Sequence, residues 1–345
     1  MLKKITENII ETIKEPIKES INKTINSGAT LLDLVLGGGY GIGKVVNIVG
    51  DKSSGKTLLA IEFIATAKKL LKDKLKIFYD DCESGFSFDE QELYGFKIIE
   101  ENQKNSETIE EMKFNLEKKL DELKSDEYLI YVVDSLDGLS CEAEKEREDE
   151  ETKAREKGKI YDKGSYKLEK TRYLKYLFRM MAHKIKDRNC LLIIISQVIM
   201  NIGVMFGEKY SRTGGKALDH YSCHCIWLSE VEKMKKKDLQ IGMRIKIKCA
   251  KNKIIPQLRS CFIDILHIYG IDNITSNINY LYDLLTPQGK YSAKKIEWDN
   301  KEYTPIALVK YIEENNLESE LENKVKEKWQ EIEKSISTYD RKYKW

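Results

Sequence analysis

The sequence predicts an α/β protein whose mainly parallel central sheet is covered by helices on both faces. Four short apolar runs alternate with stretches of helical character, and a glycine-containing loop and a helix follow the first run. This alternation is typical of parallel strands joined by crossover helices. The runs span residues 45–49, 76–80, 128–133 and 191–196. Two later runs, 243–250 and 261–268, alternate apolar and polar residues and therefore indicate strands nearer a sheet edge.

The first 27 residues predict an amphipathic helical segment. Apolar residues recur there with the spacing of one helix face, at Ile5, Ile9, Ile10, Ile13, Ile17 and Ile21. Pro16 interrupts the pattern, so a kink or two short helices are expected. Such a stripe must cover either its own subunit or a neighbouring one, and the sequence leaves both open.

Residues 28–271 form the predicted core, and residues 272–345 form a small C-terminal α/β domain that ends in a basic, aromatic tail. The stretch from Glu142 to Lys157 is almost entirely charged and has no apolar face, so we interpret it as a solvated helix or a disordered insertion. A shorter basic run, 232–238, is expected at a hairpin tip.

Composition excludes some functional classes and leaves others open. The net charge is only +2, so a DNA partner must be argued from local clusters of Lys and Arg. The sequence has no run of 18 apolar residues and no signal-peptide core, which predicts a cytoplasmic protein without a membrane partner. The cluster Cys223-His224-Cys225 has no second ligand pair at zinc spacing, so packing in a strand is the favoured interpretation.

Residues Gly50 to Thr57 match the phosphate-binding loop pattern G-x-x-x-x-G-K-[ST]. An apolar strand precedes the loop and a helix follows it, as this chemistry requires. Backbone N–H groups of Ser53, Ser54 and Gly55 would hold phosphate oxygens, and glycines allow the close approach. Lys56 would offset charge on the β- and γ-phosphates of ATP, and the Thr57 hydroxyl would ligate Mg²⁺.

Two further strand ends deliver acids to the same edge of the sheet. Asp134 ends the apolar run 128–133, where it can reach the Mg²⁺ through water. Asp80, Asp81 and Glu83 follow the run 76–80, where a carboxylate could orient and deprotonate the attacking water. Glu83 is the preferred candidate, although on spacing alone Asp80 or Asp81 would serve nearly as well.

Several motifs together resemble the bacterial RecA recombinase family. They are Ser53-Ser54-Gly55-Lys56-Thr57, Asp134-Ser135, Ile195-Ser196-Gln197, Gly203-Val204-Met205-Phe206-Gly207, Thr213-Gly214-Gly215-Lys216-Ala217-Leu218 and Lys251-Asn252-Lys253-Ile254. The resemblance covers about residues 28–271 well and the final domain loosely. It implies a RecA-type ATPase core, ATP and Mg²⁺ as cofactors, and a helical filament on DNA.

The resemblance also implies roles for individual residues. Glu83 matches the catalytic glutamate, and Gln197 matches the glutamine that senses the γ-phosphate. Lys251 and Lys253 match lysines that reach into the neighbouring subunit's ATP. The residues expected to contact DNA are Arg172, Arg179, Gly203, Phe206, Arg212, Gly214, Gly215 and Lys216. The N-terminal stripe then becomes the oligomerisation segment that docks on the adjacent subunit.

The chain also departs from the family pattern. Glu90 stands where the family usually has a tyrosine that stacks on adenine, and Phe88 or Tyr94 could substitute. Ile199 and Asn201 occupy positions that are often basic. The family's acidic tail is replaced by a basic segment at 340–345, so weaker restraint on duplex capture is expected. These departures indicate a divergent member, of the kind carried by a phage or mobile element.

The predicted function is therefore an ATP-dependent recombinase that binds single-stranded DNA, pairs it with a homologous duplex and exchanges strands. Two alternatives share the same fold. One is an ATP- and DNA-binding filament scaffold without strand exchange, and the other is a ring-forming, helicase-like ATPase.

Overall fold

The computed structural model describes residues 24–87, 89–156, 167–200, 210–256, 258–292 and 294–336. Its strands are β1 (Thr24–Ile25), β2 (Tyr40–Gly41), β3 (Lys44–Gly50), β4 (Leu75–Asp81), β5 (Tyr128–Asp134), β6 (Cys190–Met200), β7 (Tyr210–Arg212), β8 (His224–Lys236), β9 (Leu239–Asn252), β10 (Ser260–Leu266), β11 (Gly270–Asp272), β12 (Ile296–Trp298) and β13 (Lys301–Tyr303).

The helices are α1 (Thr30–Leu36), α2 (Lys56–Leu71), α3 (Glu90–Tyr94), α4 (Ile109–Glu122), α5 (Glu142–Glu156), α6 (Lys167–Asp187), α7 (Gly215–Tyr221), α8 (Asn273–Leu281), α9 (Pro305–Glu314) and α10 (Glu318–Ile336). A single 3-10 turn, Lys72–Lys74, joins α2 to β4.

The central sheet has the order β11-β10-β9-β8-β3-β6-β5-β4, and the short strand β7 pairs with the end of β6. The pairs β3–β6, β3–β8, β4–β5 and β5–β6 are parallel. The strands β8 to β11 pair antiparallel and form one side of the sheet. The predicted fold class is confirmed, and the four apolar runs are its parallel strands β3 to β6.

Side chains alternate between the two faces of this sheet, as the two-residue repeat of a strand requires. Along β6, Leu191, Ile193 and Ile195 enter one hydrophobic cluster together with α1 and α2, whereas Leu192 and Ile194 enter another with α4 and α6. Because both faces are buried, the strands are almost uninterruptedly apolar, and their polar residues appear where the strands end.

The charged insertion is the helix α5, which buries none of its residues. Its first turns are attached to the body by ion pairs of Lys145 with Glu107 and of Arg147 with Glu169. The basic run predicted at a hairpin tip lies where β8 turns into β9, with Lys237 in the left-handed region.

The C-terminal residues pack on the same face of the sheet as α1 and α2. Ile278, Trp298, Leu308 and Leu321 belong to the same hydrophobic cluster as residues of α1 and α2. The helices α9 and α10 are separated near Asn316, whose φ is 54°. The boundary at 271/272 stays a prediction, and both the N-terminal helical stripe and the basic tail lie outside the described residues.

Within the described ranges, no helix has the length and apolar character needed to cross a membrane. In the same part of the chain, no group of three or more His, Cys, Asp or Glu side chains is arranged to hold a metal ion. Cys223, His224 and Cys225 are buried at the start of β8, in agreement with the packing interpretation.

Candidate nucleotide site and its connection to basic surfaces

The loop between β3 and α2 has the geometry of a phosphate cradle. Gly55 precedes the helix with a φ of 86°, which is costly for any residue with a side chain. A Cβ on Gly50 would lie 2.3 Å from Ser54 Oγ, so the backbone could not close in this way with a larger residue. Lys56 is 8% exposed, and its Nζ donates to the Gly50 and Asp51 carbonyls at 3.0 and 2.6 Å. The loop therefore holds one lysine charge at a helix N-terminus.

Thr57 and Asp134 are brought together across the sheet. The Thr57 hydroxyl donates to Asp134 Oδ2 at 2.6 Å, and the Tyr79 hydroxyl donates to the same oxygen at 2.6 Å. Burial raises the pKa of Asp134, and these two hydrogen bonds oppose that shift. A hydroxyl and a carboxylate oxygen in contact are suitable ligands for Mg²⁺. The residues present thus fit the ion, and Tyr79 is a partner that the sequence analysis missed.

Glu83, the predicted water-activating carboxylate, has one oxygen engaged and one open. Gln197 Nε2 donates to Glu83 Oε1 at 3.0 Å, and the Ser135 hydroxyl donates to the same oxygen. The second oxygen, Oε2, accepts no hydrogen bond from the described residues. Glu83 is exposed, so this oxygen can face a water molecule and a nucleotide.

The two competing acids are engaged elsewhere. Asp80 is fully buried and accepts hydrogen bonds from the Ser106 backbone N–H, the Ser106 hydroxyl and the Tyr131 hydroxyl. Asp81 accepts from the backbone N–H groups of Gly85 and Phe86 at 3.1 and 3.0 Å, so it caps the turn that presents Glu83. The structure thus favours Glu83 among the three alternatives.

Helix α6 presents a basic and aromatic face. Arg172 and Arg179 are exposed, and the Arg179 guanidinium lies 5.8 Å from the centre of the Tyr176 ring. An open groove of about 720 Å³ runs along this face, lined by Arg172, Tyr173, Lys175, Tyr176 and Arg179 on α6 and by Glu110 and Cys141 opposite. Exposed cations beside exposed aromatic rings suit a nucleic-acid backbone and its bases.

The other predicted DNA-contacting residues differ in how the structure places them. Gly214 and Gly215 lie at the start of α7 with φ values of 89° and 47°, and Lys216 follows in that helix. Arg212 is 9% exposed and is paired with Asp219 at 2.5 Å, an arrangement that disfavours direct contact with DNA. Gly203 and Phe206 lie outside the described residues.

Lys251 and Lys253 lie at the other end of α7. Lys251 Nζ donates to the carbonyls of Asp219 and His220, and Lys253 Nζ donates to the His220 carbonyl at 2.8 Å. Two cations at a helix C-terminus are favourable because its last carbonyls carry partial negative charge. Burial, and then the Lys253 charge, lower the pKa of Lys251. Neither ammonium group is hydrogen-bonded to residues 50–57 in the described chain.

A second basic and aromatic cleft lies beside the phosphate loop, and the sequence analysis did not find it. Its volume is about 590 Å³, and its lining includes Asp51, Tyr210, Trp227, Lys246 and Lys248. Lys246 and Lys248 are two residues apart on β9 and therefore point to one side of the sheet. The spacing of these two lysines was the one sign of the cleft in the sequence. Alternating lysines in a strand near a sheet edge normally face only water, so the sign was not specific.

Two of the residues considered at the adenine position, Glu90 and Tyr94, are hydrogen-bonded to other groups of the chain. Glu90 accepts hydrogen bonds from the backbone N–H groups of Ile98 and Ile99 at 3.0 and 3.4 Å, so its carboxylate is engaged with the chain. The Tyr94 hydroxyl donates to Glu62 at 3.2 Å on α2. Phe88 lies outside the described residues.

The chain is similar to one family model and to several known proteins. A family model described as the RecA N-terminal domain matches residues 3–272. The chain is 28% identical over 310 residues to Protein RecA of Leptospira meyeri, covering 87% of this chain and 73% of that protein. It is 29% identical over 309 residues to Protein RecA of Marinobacter nauticus, with 88% and 82% covered. To the mitochondrial DNA repair protein recA homolog of Dictyostelium discoideum it is 33% identical over 314 residues, covering 88% of this chain and 63% of that relative.

Proposed function

The chain belongs to the RecA family, and on that premise we propose that it is an ATP-dependent DNA recombinase. It assembles as a filament on single-stranded DNA, hydrolyses ATP when DNA is bound, and exchanges strands with a homologous duplex. The names of its relatives, RecA proteins and a DNA repair protein, support this function at the level of recombination and repair.

One observation carries the proposal. Gln197, near the end of β6, is predicted to sense the γ-phosphate. Its side chain donates a hydrogen bond to Glu83 at 3.0 Å. After Gln197 the chain continues along β6, and the next described elements are β7 and α7. The glycines that are predicted to contact DNA, Gly214 and Gly215, lie at the start of α7. A group that touches the catalytic carboxylate therefore also begins the predicted DNA-binding loop. This direct connection suits an ATPase whose rate depends on DNA.

Hydrolysis is assigned to the residues of the phosphate site. The loop N–H groups and Lys56 bind the phosphates, and Thr57 and Asp134 would hold Mg²⁺, which when bound offsets developing charge on the phosphates. Glu83 Oε2 accepts a proton from the attacking water, while Ser135 and Gln197 fix the orientation of its carboxylate through Oε1. Lys251 and Lys253 complete a neighbouring subunit's site, in the manner of an arginine finger.

Two DNA molecules must be held during strand exchange, and the chain offers two basic surfaces. The groove on α6 with Arg172 and Arg179 is assigned to the first strand. The cleft with Lys246, Lys248 and Trp227 is assigned to the second DNA. Both surfaces bind mainly backbone phosphates, so little sequence preference is expected and homology is tested by base pairing.

The decisive experiment measures ATP hydrolysis with and without a single-stranded oligonucleotide. DNA should stimulate the wild type, and Lys56→Ala should lower the stimulated rate at least about 100-fold because a cation at the transferring phosphate is lost. Lys52→Ala is the matched control, since Lys52 is exposed on the same loop and should hydrolyse ATP normally.

ATP binding without any response to DNA would overturn the recombinase proposal. Stimulated hydrolysis and filaments without joint molecules would favour a scaffold instead. Closed rings in electron micrographs together with strand separation would favour the helicase-like alternative.

A further inference from the structure

The loop that follows β5, residues 135–141, contacts Glu83, strand β6, helix α6 and the start of α7. We name it the β5 exit loop. Ser135 donates to Glu83, and the Leu136 N–H donates to the Ile195 carbonyl at 2.9 Å. A Cβ on Gly138 would lie 2.8 Å from the Cys82 carbonyl oxygen, so the loop is pressed against the turn that carries Glu83.

Asp137, in the β5 exit loop, has two partners that are distant in sequence. Its Oδ2 accepts the Gln197 backbone N–H at 2.7 Å, and its Oδ1 accepts the Thr213 hydroxyl. Gln197 lies near the end of β6 and Thr213 immediately precedes α7. One carboxylate therefore joins the two ends of the predicted DNA-binding loop at the place where that loop leaves and rejoins the core.

The helix α7 follows directly from this junction. Gly214 is its N-cap, and a Cβ there would lie 3.1 Å from the side chains of Leu136 and Leu218. Leu136 belongs to the β5 exit loop, so the start of α7 is held by Asp137 through Thr213 and by Leu136 through packing. A shift of Gln197 can thus be passed to α7 through a short, contiguous set of contacts.

Lys170 ties the same loop to the DNA-facing helix α6. Its Nζ donates to the Leu139 carbonyl oxygen, and Arg172 lies two residues further along the helix. Burial lowers the pKa of Lys170, and the charges of Glu144 and Asp137 oppose this shift. Neutral packing would join a helix to a loop without the cost of partly desolvating an ammonium group. The retained charge points to a role beyond packing.

We propose that Asp137 is a positioning residue that passes the nucleotide state from Gln197 to Thr213 and α7, and that Lys170 couples the same loop to α6. The proposal rests on the proposed function, in which Gln197 faces the γ-phosphate and α6 faces DNA. Neither residue touches the reacting atoms.

The test compares amide hydrogen exchange of residues 210–221 with ADP bound and with a slowly hydrolysed ATP analogue bound, in the absence of DNA. Wild type should exchange more slowly with the ATP analogue. Asp137→Ala should remove this difference, whereas Asp137→Asn should keep it, because the amide oxygen still accepts from Gln197 and the NH₂ can donate to Thr213. Ser140→Ala, which removes a hydroxyl from the other side of the loop, is the matched control.

A second readout is the ratio of ATP hydrolysis with and without single-stranded DNA. Asp137→Ala should lower this ratio about tenfold or more, because it removes the two charge-assisted hydrogen bonds to Gln197 and Thr213. Lys170→Met should lower it as well, and Lys170→Arg should restore it, because arginine can still donate to a carbonyl. Lys184→Met, on the exposed part of α6 beside Glu117, should behave as wild type.

Three outcomes would overturn the inference. The first is that wild type exchanges at the same rate with ADP and with the ATP analogue. The second is that Asp137→Ala keeps the wild-type difference between the two nucleotides. The third is that Asp137→Ala loses the exchange difference and at the same time loses ADP affinity and thermal stability, which would mark a purely structural role. If DNA does not stimulate the wild type, the proposed function fails, but the DNA-free exchange comparison still decides this inference.

Discussion

The predicted nucleotide site is connected to the start of helix α7 through Asp137 and Thr213, and the lysine pair lies at the other end of that helix. The two regions are built differently. At the nucleotide end, Thr57, Asp134, Glu83 and Gln197 are hydrogen-bonded to one another within the chain. At the other end, within the described residues, Lys251 and Lys253 donate to the carbonyl oxygens of Asp219 and His220. Groups predicted to act within one subunit are thus held by specific side-chain partners. Groups expected to act on a neighbour are held by carbonyls that they can exchange for another acceptor.

The largest expected effect comes from removing both lysines. Lys251→Ala with Lys253→Ala should lower DNA-stimulated hydrolysis about 1,000-fold, the scale of a cation supplied to a transferring phosphate from a neighbour. Mixing this variant with Glu83→Gln subunits should restore activity, because each variant supplies the group that the other lacks. The measurement is the hydrolysis rate of each variant alone and of the mixture.

A double change of Lys235 and Lys236 to Ala at the exposed hairpin tip is the matched control for charge and should leave the rate unchanged. Absence of any recovery in the mixture would contradict a role in trans. Lys251 and Lys253 would then act only within their own subunit, as the residues of the predicted nucleotide site do.

A smaller effect is expected from Gly138→Ala in the β5 exit loop. The added Cβ would meet the Cys82 carbonyl at 2.8 Å and Glu83 Cγ at 3.1 Å, so the carboxylate should move. A displacement of this kind should lower hydrolysis about tenfold or more while ATP binding persists. Gly85→Ala is the control, because a Cβ there meets nothing within 4 Å. Equal rates for the two variants would show that the nucleotide site is less rigid than the comparison implies.

The smallest expected effect on activity concerns Asp33, which lies in neither region. Burial raises its pKa to about 6, opposed by hydrogen bonds from Ser27, while Glu322 raises it slightly further and Lys326 lowers it. Because the pKa of Asp33 in the folded protein lies above its ordinary value, the protonated carboxyl stabilises the folded state at low pH. This stabilisation is lost as pH rises from about 4 to 6.

Asp33→Asn keeps the acceptor for Ser27 and cannot ionise. Its free energy of unfolding relative to wild type should therefore increase by about 1–3 kcal/mol between pH 4 and 7. Urea denaturation at several pH values measures this, with the exposed Asp73→Asn as control. A difference that does not change with pH would contradict the assignment. Hydrolysis at saturating ATP should be unaffected.

The sequence by itself determined the features whose residues are contiguous. The phosphate loop from Gly50 to Thr57 binds through its own backbone and one lysine, so its pattern is complete in eight residues. The parallel strands were predictable because burial on both faces makes them apolar along their whole length. The exposure of residues 142–156 was predictable because a stretch without an apolar face cannot join a core, but the sequence left a helix and a disordered insertion open.

Only the tertiary structure shows which of the candidate acids have their oxygens occupied by other groups of the chain. Asp80 and Glu83 look alike in sequence, but Ser106 and Tyr131, 26 and 51 residues away from Asp80, consume that carboxylate. The same holds for Asp137, whose partners Gln197 and Thr213 are 60 and 76 residues distant. A polar group's availability depends on what the fold places beside it, and a local pattern carries no record of those partners.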